Sequence, residues 1–196
     1  MSQSKFPVIL PIPTPTKQEA QPLIDFFTNL YDLQILQYIP DPSLSFTRQY
    51  LNVMIRSLEL AREKYPNQSV LIVQPTVTSS SRPEKILQAI QVSQNVSDKE
   101  KWDLVYFNRY MDQCQLYDEP IGQTPDKLNT LVASQYPQGS LAILVSPIGR
   151  DRLLGLIPGK NQSYLNYSTT QNFNTTLQNN LQSGNLSALV WAPNLF

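Results

Sequence analysis

Histidine is absent from this 196-residue chain, and cysteine occurs once, at Cys114. A single cysteine excludes an internal disulfide framework and suits a reducing compartment. Without histidine there is no Cys–His nucleophile and no Ser-His-Asp triad, and the commonest transition-metal ligand is gone, which argues against a zinc site. Charge is sparse as well: Asp, Glu, Lys and Arg make up 15% of the chain, 15 basic residues against 15 acidic ones. With no basic excess and no Lys/Arg cluster, a nucleic-acid partner is not expected. Long apolar runs are also missing. Met1 to Phe6 is mostly polar, and the apolar stretch that follows is broken by Pro7, Pro11 and Pro13. It is too short and too proline-rich for a signal peptide or a membrane span. The expectation is an intracellular product with no membrane span. Six Asn-x-Ser/Thr triplets, at Asn67, Asn95, Asn161, Asn166, Asn174 and Asn185, then read as chance in an Asn/Ser/Thr-rich chain.

Gln, Asn, Ser and Thr stand where charge would be. Such surfaces repel one another weakly and suit a protein packed against neighbours, although genome composition produces the same bias. The apolar fraction, 41%, is that of a globular protein, and the length fits one domain over residues 1–196. Phe6 to Ile12 reads as a buried strand. Thr16 is a candidate cap for a helix carrying Leu23, Phe26, Phe27 and Leu30, and Leu33 to Ile39 is the next strand. Ser45 or Thr47 caps a helix with Leu51, Met54, Ile55 and Leu58 on its apolar stripe, ending at Tyr65-Pro66-Asn67. Val70 to Val73 is a continuous apolar strand, Ser81-Arg82-Pro83-Glu84 a capping box ahead of Ile86, Leu87 and Ile90, and Leu104 to Phe107 another strand. Further on, Thr124-Pro125 opens a short helix, Leu141 to Val145 is a strand, and Gly149 to Gly155 is a turn or short helix. Pro158 to Thr170 reads as a long loop. Phe173, Leu177 and Leu181 mark a last helix with Gly184 beyond it, and Leu186 to Trp191 a final strand. This alternation predicts an α/β fold: a mostly parallel sheet with helices on both faces, in which Val70–Val73 and Leu104–Phe107 lie side by side.

Two sets of segments go beyond generic α/β. The helix ending in Ala61-Arg62-Glu63-Lys64-Tyr65-Pro66-Asn67, the strand Val70 to Val73 and the later Trp102-Asp103-Leu104-Val105-Tyr106-Phe107 follow one another in an order that resembles the lipooligosaccharide/collagen-type glycosyltransferases. Residues 6–39 fit the nucleotide-binding half of that fold. Arg109-Tyr110-Met111-Asp112-Gln113-Cys114-Gln115-Leu116-Tyr117, Ser146-Pro147-Ile148-Gly149-Arg150-Asp151-Arg152-Leu153-Leu154-Gly155 and Pro193-Asn194-Leu195-Phe196 resemble a glycosyltransferase-like family of large nucleocytoplasmic DNA viruses. That family tends to read Asp-Arg-Cys-Asp where this chain has Asp112-Gln113-Cys114-Gln115. The resemblance covers most of the chain from about residue 43 and implies a glycosyltransferase-A-like fold.

The departure from the pattern bears on function. In such a transferase an acidic motif ending the central strand holds a divalent cation against the diphosphate, whose leaving charge the metal neutralises. Here the strand runs out as Val73-Gln74-Pro75-Thr76-Val77-Thr78, and no Asp or Glu occurs from Tyr65 to Pro83. Gln74 and Thr76 offer only neutral oxygens. Other candidates read as structure. Asp98-Lys99-Glu100 is a solvated turn, Trp102 packs in the core, and Asp103 satisfies backbone donors at the start of its strand. Gly149-Arg150-Asp151 with Arg152 is a turn with a local Arg–Asp pair, Cys114 a buried small hydrophobe, and Lys160 lacks the glycine spacing of a phosphate loop. No catalytic, cofactor-binding or metal-binding residue is assigned, and no cofactor is expected. The reading is a non-catalytic structural protein: a degenerate glycosyltransferase-like domain serving as a minor capsid component of a large icosahedral DNA virus. Its partners would be other capsid proteins or copies of itself, and its location the virion or, alternatively, the cytoplasm. The rival readings are a metal-independent glycosyltransferase using Arg and Lys, and a sugar-nucleotide-binding module. Leu195 and Phe196 are large apolar groups that either tuck into this domain's core or dock on a neighbour.

Overall fold

The computed structural model describes residues 5–14, 18–96, 101–108, 111–112 (backbone only), 120–134, 137–155 and 172–196. The apolar runs become strands and the 3.6-periodic stretches become helices. In order these are β1 (Phe6–Pro13), α1 (Gln21–Thr28), β2 (Tyr31–Tyr38), α2 (Phe46–Lys64), β3 (Val70–Val73), α3 (Pro83–Gln94), β4 (Leu104–Asn108), β5 (Met111–Asp112), β6 (Gly122–Gln123), β7 (Thr130–Ser134), β8 (Pro137–Gln138), β9 (Ala142–Val145), α4 (Pro147–Leu154), α5 (Phe173–Gln182) and β10 (Ala188–Ala192). Eight strands form one sheet in the order β2-β1-β3-β9-β4-β10-β7-β6, and β5 pairs with β8 apart from it.

The sheet is mixed, which corrects the expectation of a mostly parallel one. β1 runs parallel to β2 and β3, and β4 parallel to β10. β9 is antiparallel to both β3 and β4, and β7 is antiparallel to β10 and β6. β3 and β4 therefore share one sheet and one direction but are not neighbours, because β9 lies between them. All four residues of β9 are buried, so it carries the same continuous apolar pattern as a central parallel strand. That pattern reports burial on two faces and says nothing of direction.

Helices do cover both faces. On one side Val8, Leu10, Ile12, Leu71, Val73, Val105 and Phe107 pack with Leu23 and Phe27 of α1 and Ile86, Ala89 and Ile90 of α3. On the other side Ile9, Ile72, Leu104, Tyr106 and Ile143 pack with Met54 and Leu58 of α2, Leu153 of α4 and Phe173 and Leu177 of α5. Successive strand residues thus alternate between two cores, as the pleat requires. Among the described residues no helix is long and apolar enough to cross a membrane.

Several local signals match the structure. Ser45 caps α2, its Oγ accepting from the Arg48 N–H at 3.3 Å, and Tyr65 closes that helix. Gly184, at φ 72°, follows α5. Others failed. Ser81 does not cap α3: the N-cap is Arg82, while Ser79 and Ser81 bond to each other in a turn of their own. α1 begins after Ala20 and ends at Thr28, short of Leu30, and Thr16 lies outside the described residues, as does the Pro158 to Thr170 segment.

Thr124-Pro125 starts a tight turn joining β6 to β7 and not a helix. Asp126 organises it, accepting from Thr124 Oγ1 and from the Leu128 N–H at 3.0 Å, and pairing with Lys85 Nζ of α3 at 2.8 Å. The Lys85 hydrogen bond first, then those from Thr124 and Leu128, lower the Asp126 pKa from 3.8 to about 2. A lowered folded pKa stabilises above the unfolded value, and that stabilisation is lost as pH falls through the folded one. Asp126→Asn is therefore expected to lower the melting temperature at neutral pH, and the difference from wild type should shrink as pH falls from about 4 to about 2. A pH-independent difference would show that the carboxylate charge is not what the turn uses.

Candidate functional site

In open α/β sheets ligands bind outside the carboxyl ends of the parallel strands. At that end β3 runs into Gln74, the position at which the resemblance to glycosyltransferases would put a metal-holding carboxylate. Gln74 is buried: its N–H donates to the Leu141 carbonyl at 2.7 Å, its own carbonyl accepts from Val77, and Nε2 lies 3.2 Å from Met54 Sδ of α2. The side chain points into the core and not toward a ligand. Thr76 is exposed. Among the described residues no group of three His, Cys, Asp or Glu is placed to hold a metal ion.

The residues after β10 occupy the same end of the sheet. The Leu195 N–H donates to the Phe107 carbonyl at 2.9 Å, Asn108 Nδ2 to the Phe196 carbonyl at 2.8 Å, and Asn129 Nδ2 to the Pro193 carbonyl at 3.0 Å. Ser80 Oγ, in the loop after β3, donates to the Leu195 carbonyl at 3.3 Å. Leu195 is fully buried, and the Phe196 ring lies 6.2 Å from both Phe26 and Phe27 of α1. Of the two fates for these apolar groups, self-packing is the one observed.

The Gly149-Arg150-Asp151-Arg152 segment forms α4, capped by Ser146 Oγ on the Gly149 N–H at 2.9 Å. Arg150 is buried and makes the local pair with Asp151 at 3.0 Å. Its remaining nitrogens donate to the carbonyls of Tyr65 at 3.0 Å and Pro66 at 2.8 Å, with Ala61 at 3.4 Å, so it caps the carboxyl end of α2. Arg152 Nη1 grips both oxygens of Asp103, at 2.8 and 2.7 Å. Asp103 also accepts from the Ser187 N–H at 2.9 Å, the backbone role expected of it at the start of a strand. The partnership with Arg152, 49 residues away, had no signal in the sequence. Gly149 sits against this strand: a Cβ there would stand 2.3 Å from the Asp103 carbonyl oxygen. Trp102 is half-buried against the core, its Nε1 donating to the Ser93 carbonyl at 2.8 Å. Asp98, Glu100, Cys114 and Lys160 lie outside the described residues.

A groove of about 300 Å³ that no motif pointed to lies where α2 and α5 begin. Phe46, 81% exposed, stacks on Tyr50, whose hydroxyl is 2.7 Å from Ser140 Oγ. Asn172, Asn174, Gln138 and Gln178 complete a wall with no charged side chain. It suits a neutral polar group better than a diphosphate. The sequence-level trace of this groove is an aromatic directly after the Ser45 cap, where the first helical position faces solvent. Compared with known proteins, the chain matches no family model and no curated protein.

Proposed function

We propose that this chain is a non-catalytic structural domain with a degenerate glycosyltransferase-A-like architecture, acting as a minor capsid component of a large icosahedral DNA virus. The observation that carries the non-catalytic part is Gln74. The position that would need a metal-binding carboxylate holds a neutral amide turned against Met54, inside a stretch from Tyr65 to Pro83 without Asp or Glu. The packing of Leu195 and Phe196 over the same end of the sheet favours the same reading, because it fills space a ligand would use. A metal-independent transferase would need cations for the diphosphate. Arg150 is spent on the carbonyls of α2 and Arg152 on Asp103, which counts against that alternative. The virion, with other capsid proteins or copies of the chain as partners, rests on the resemblance of residues 109–117, 146–155 and 193–196 and on the low surface charge.

Titration calorimetry with manganese and a panel of UDP- and GDP-sugars is expected to show no binding. Micromolar, metal-dependent binding would overturn the non-catalytic reading. Purified particles of the virus should contain the protein at fixed stoichiometry, and its absence from them would overturn the capsid assignment.

A further inference from the structure

An open sheet has two edges, and here they differ. One is β6, two residues long, too short to template another strand. The other is β2, eight residues in unbroken parallel register with β1 from Phe6↔Tyr31 to Pro13↔Tyr38. Among the described residues no strand pairs with its outer side. Natural edges of this length are usually blunted by Lys, Pro or a bulge, and β2 has none of them. Its single charge, Asp32, already accepts from Tyr65 at 2.7 Å and Gln34 at 3.0 Å. Ile35 is 38% exposed on the strand, and Ile39 is 84% exposed just past it.

We propose that β2 pairs antiparallel with β2 of a second copy about a twofold axis at Ile35, joining two sheets into one. The pairing holds whether or not the domain is catalytic. A twofold interface must be complementary to itself. An axis normal to the sheet keeps each face on its own side, so opposed residues must come from the same face. Leu33 packs in the α1 core and Leu36 in the α2 core, which rules out setting one against the other. Centring on Gln34 would set Asp32 against Leu36. Centring on Ile35 sets Ile35 on Ile35, Leu33 on Gln37, Gln34 on Leu36 and Asp32 on Tyr38. Among the residues of the two strands no like charges are opposed, the carboxylate faces a hydroxyl, and the exposed isoleucine is covered at the axis.

Sedimentation equilibrium is expected to show a concentration-dependent dimer. Ile35→Lys, which opposes two ammonium groups at the axis, should raise the dissociation constant at least about tenfold. Ile148→Lys, at an exposed apolar site on α4, should not change it. Both sites are at the surface, so both variants should keep the wild-type circular dichroism. In a Cys114→Ser background, Ile35→Cys should oxidise to a covalent dimer, since directly opposed Cα atoms lie about 4.5–5.5 Å apart, within the range a disulfide spans. Gln37→Cys should not, because it faces Leu33 of the other copy. A monomer at all concentrations, no effect of Ile35→Lys, or equal cross-linking at both positions would overturn the pairing while leaving the Gln74 argument untouched.

Discussion

Arg150→Ala is expected to lower the unfolding free energy by about 2–4 kcal/mol, read from the midpoint and slope of urea denaturation. The last carbonyls of a helix have no partner within it. In α2 they are buried under α4, and Arg150 satisfies those of Tyr65 and Pro66 while placing a full positive charge at the negative end of the helix dipole. Truncation removes the donor to the Pro66 carbonyl and one of the two donors to the buried Tyr65 carbonyl, which keeps only the Gln68 N–H at 3.2 Å, and it leaves Asp151 without its partner. Arg150→Lys should recover only part of the loss. A single ammonium cannot reproduce the planar fork that reaches two carbonyls and a carboxylate at once. A loss below about 1 kcal/mol would place Arg150 with exposed surface ion pairs and remove the capping argument.

The same segment shows what was legible beforehand. From sequence, Gly149 to Gly155 is a turn or a short helix; the structure makes it a helix, Pro147–Leu154, capped by Ser146. A structural role for the arginines followed from their local Asp151. What they reach lies far away in sequence: the end of α2 for Arg150 and the start of β4 for Arg152. Only the fold brings those together. The same limit explains the sheet. Val70–Val73, Leu104–Phe107 and Ala142–Val145 are three four-residue apolar runs, each buried on both faces. Nothing within them says that the third inserts between the first two in the opposite direction. Capping was legible for Ser45, whose hydroxyl keeps the Arg48 N–H while also lying 3.1 Å from Thr47 Oγ1, and illegible for Ser81, whose backbone takes the Ser79 hydroxyl instead. At the candidate site the stretch without Asp or Glu from Tyr65 to Pro83 was visible. The inward turn of Gln74 onto Met54 was not, because it depends on how α2 crosses β3.

Replacing Leu195 and Phe196 together by alanine is expected to lower the melting temperature by roughly 10–20 °C. Leu→Ala and Phe→Ala in a core cost about 2–5 and 3–5 kcal/mol, neighbouring sites add incompletely, and each kcal/mol is worth about 2–4 °C in a domain of this size. Leu195 is fully buried and Phe196 is 6% exposed, so both changes open space against Phe26, Phe27 and the end of β4. The Leu195–Phe107 backbone bond and the Asn108–Phe196 bond survive the truncation of side chains, which confines the effect to packing. An unchanged melting temperature with lost incorporation into particles would mean that the two side chains serve a neighbour and not this core. The variant also tests the site. If Leu195 and Phe196 were all that keeps a sugar-nucleotide out, opening the space should restore binding in calorimetry with manganese. No restoration is expected, because the neutral, inward-turned Gln74 remains and still leaves a divalent cation without a carboxylate.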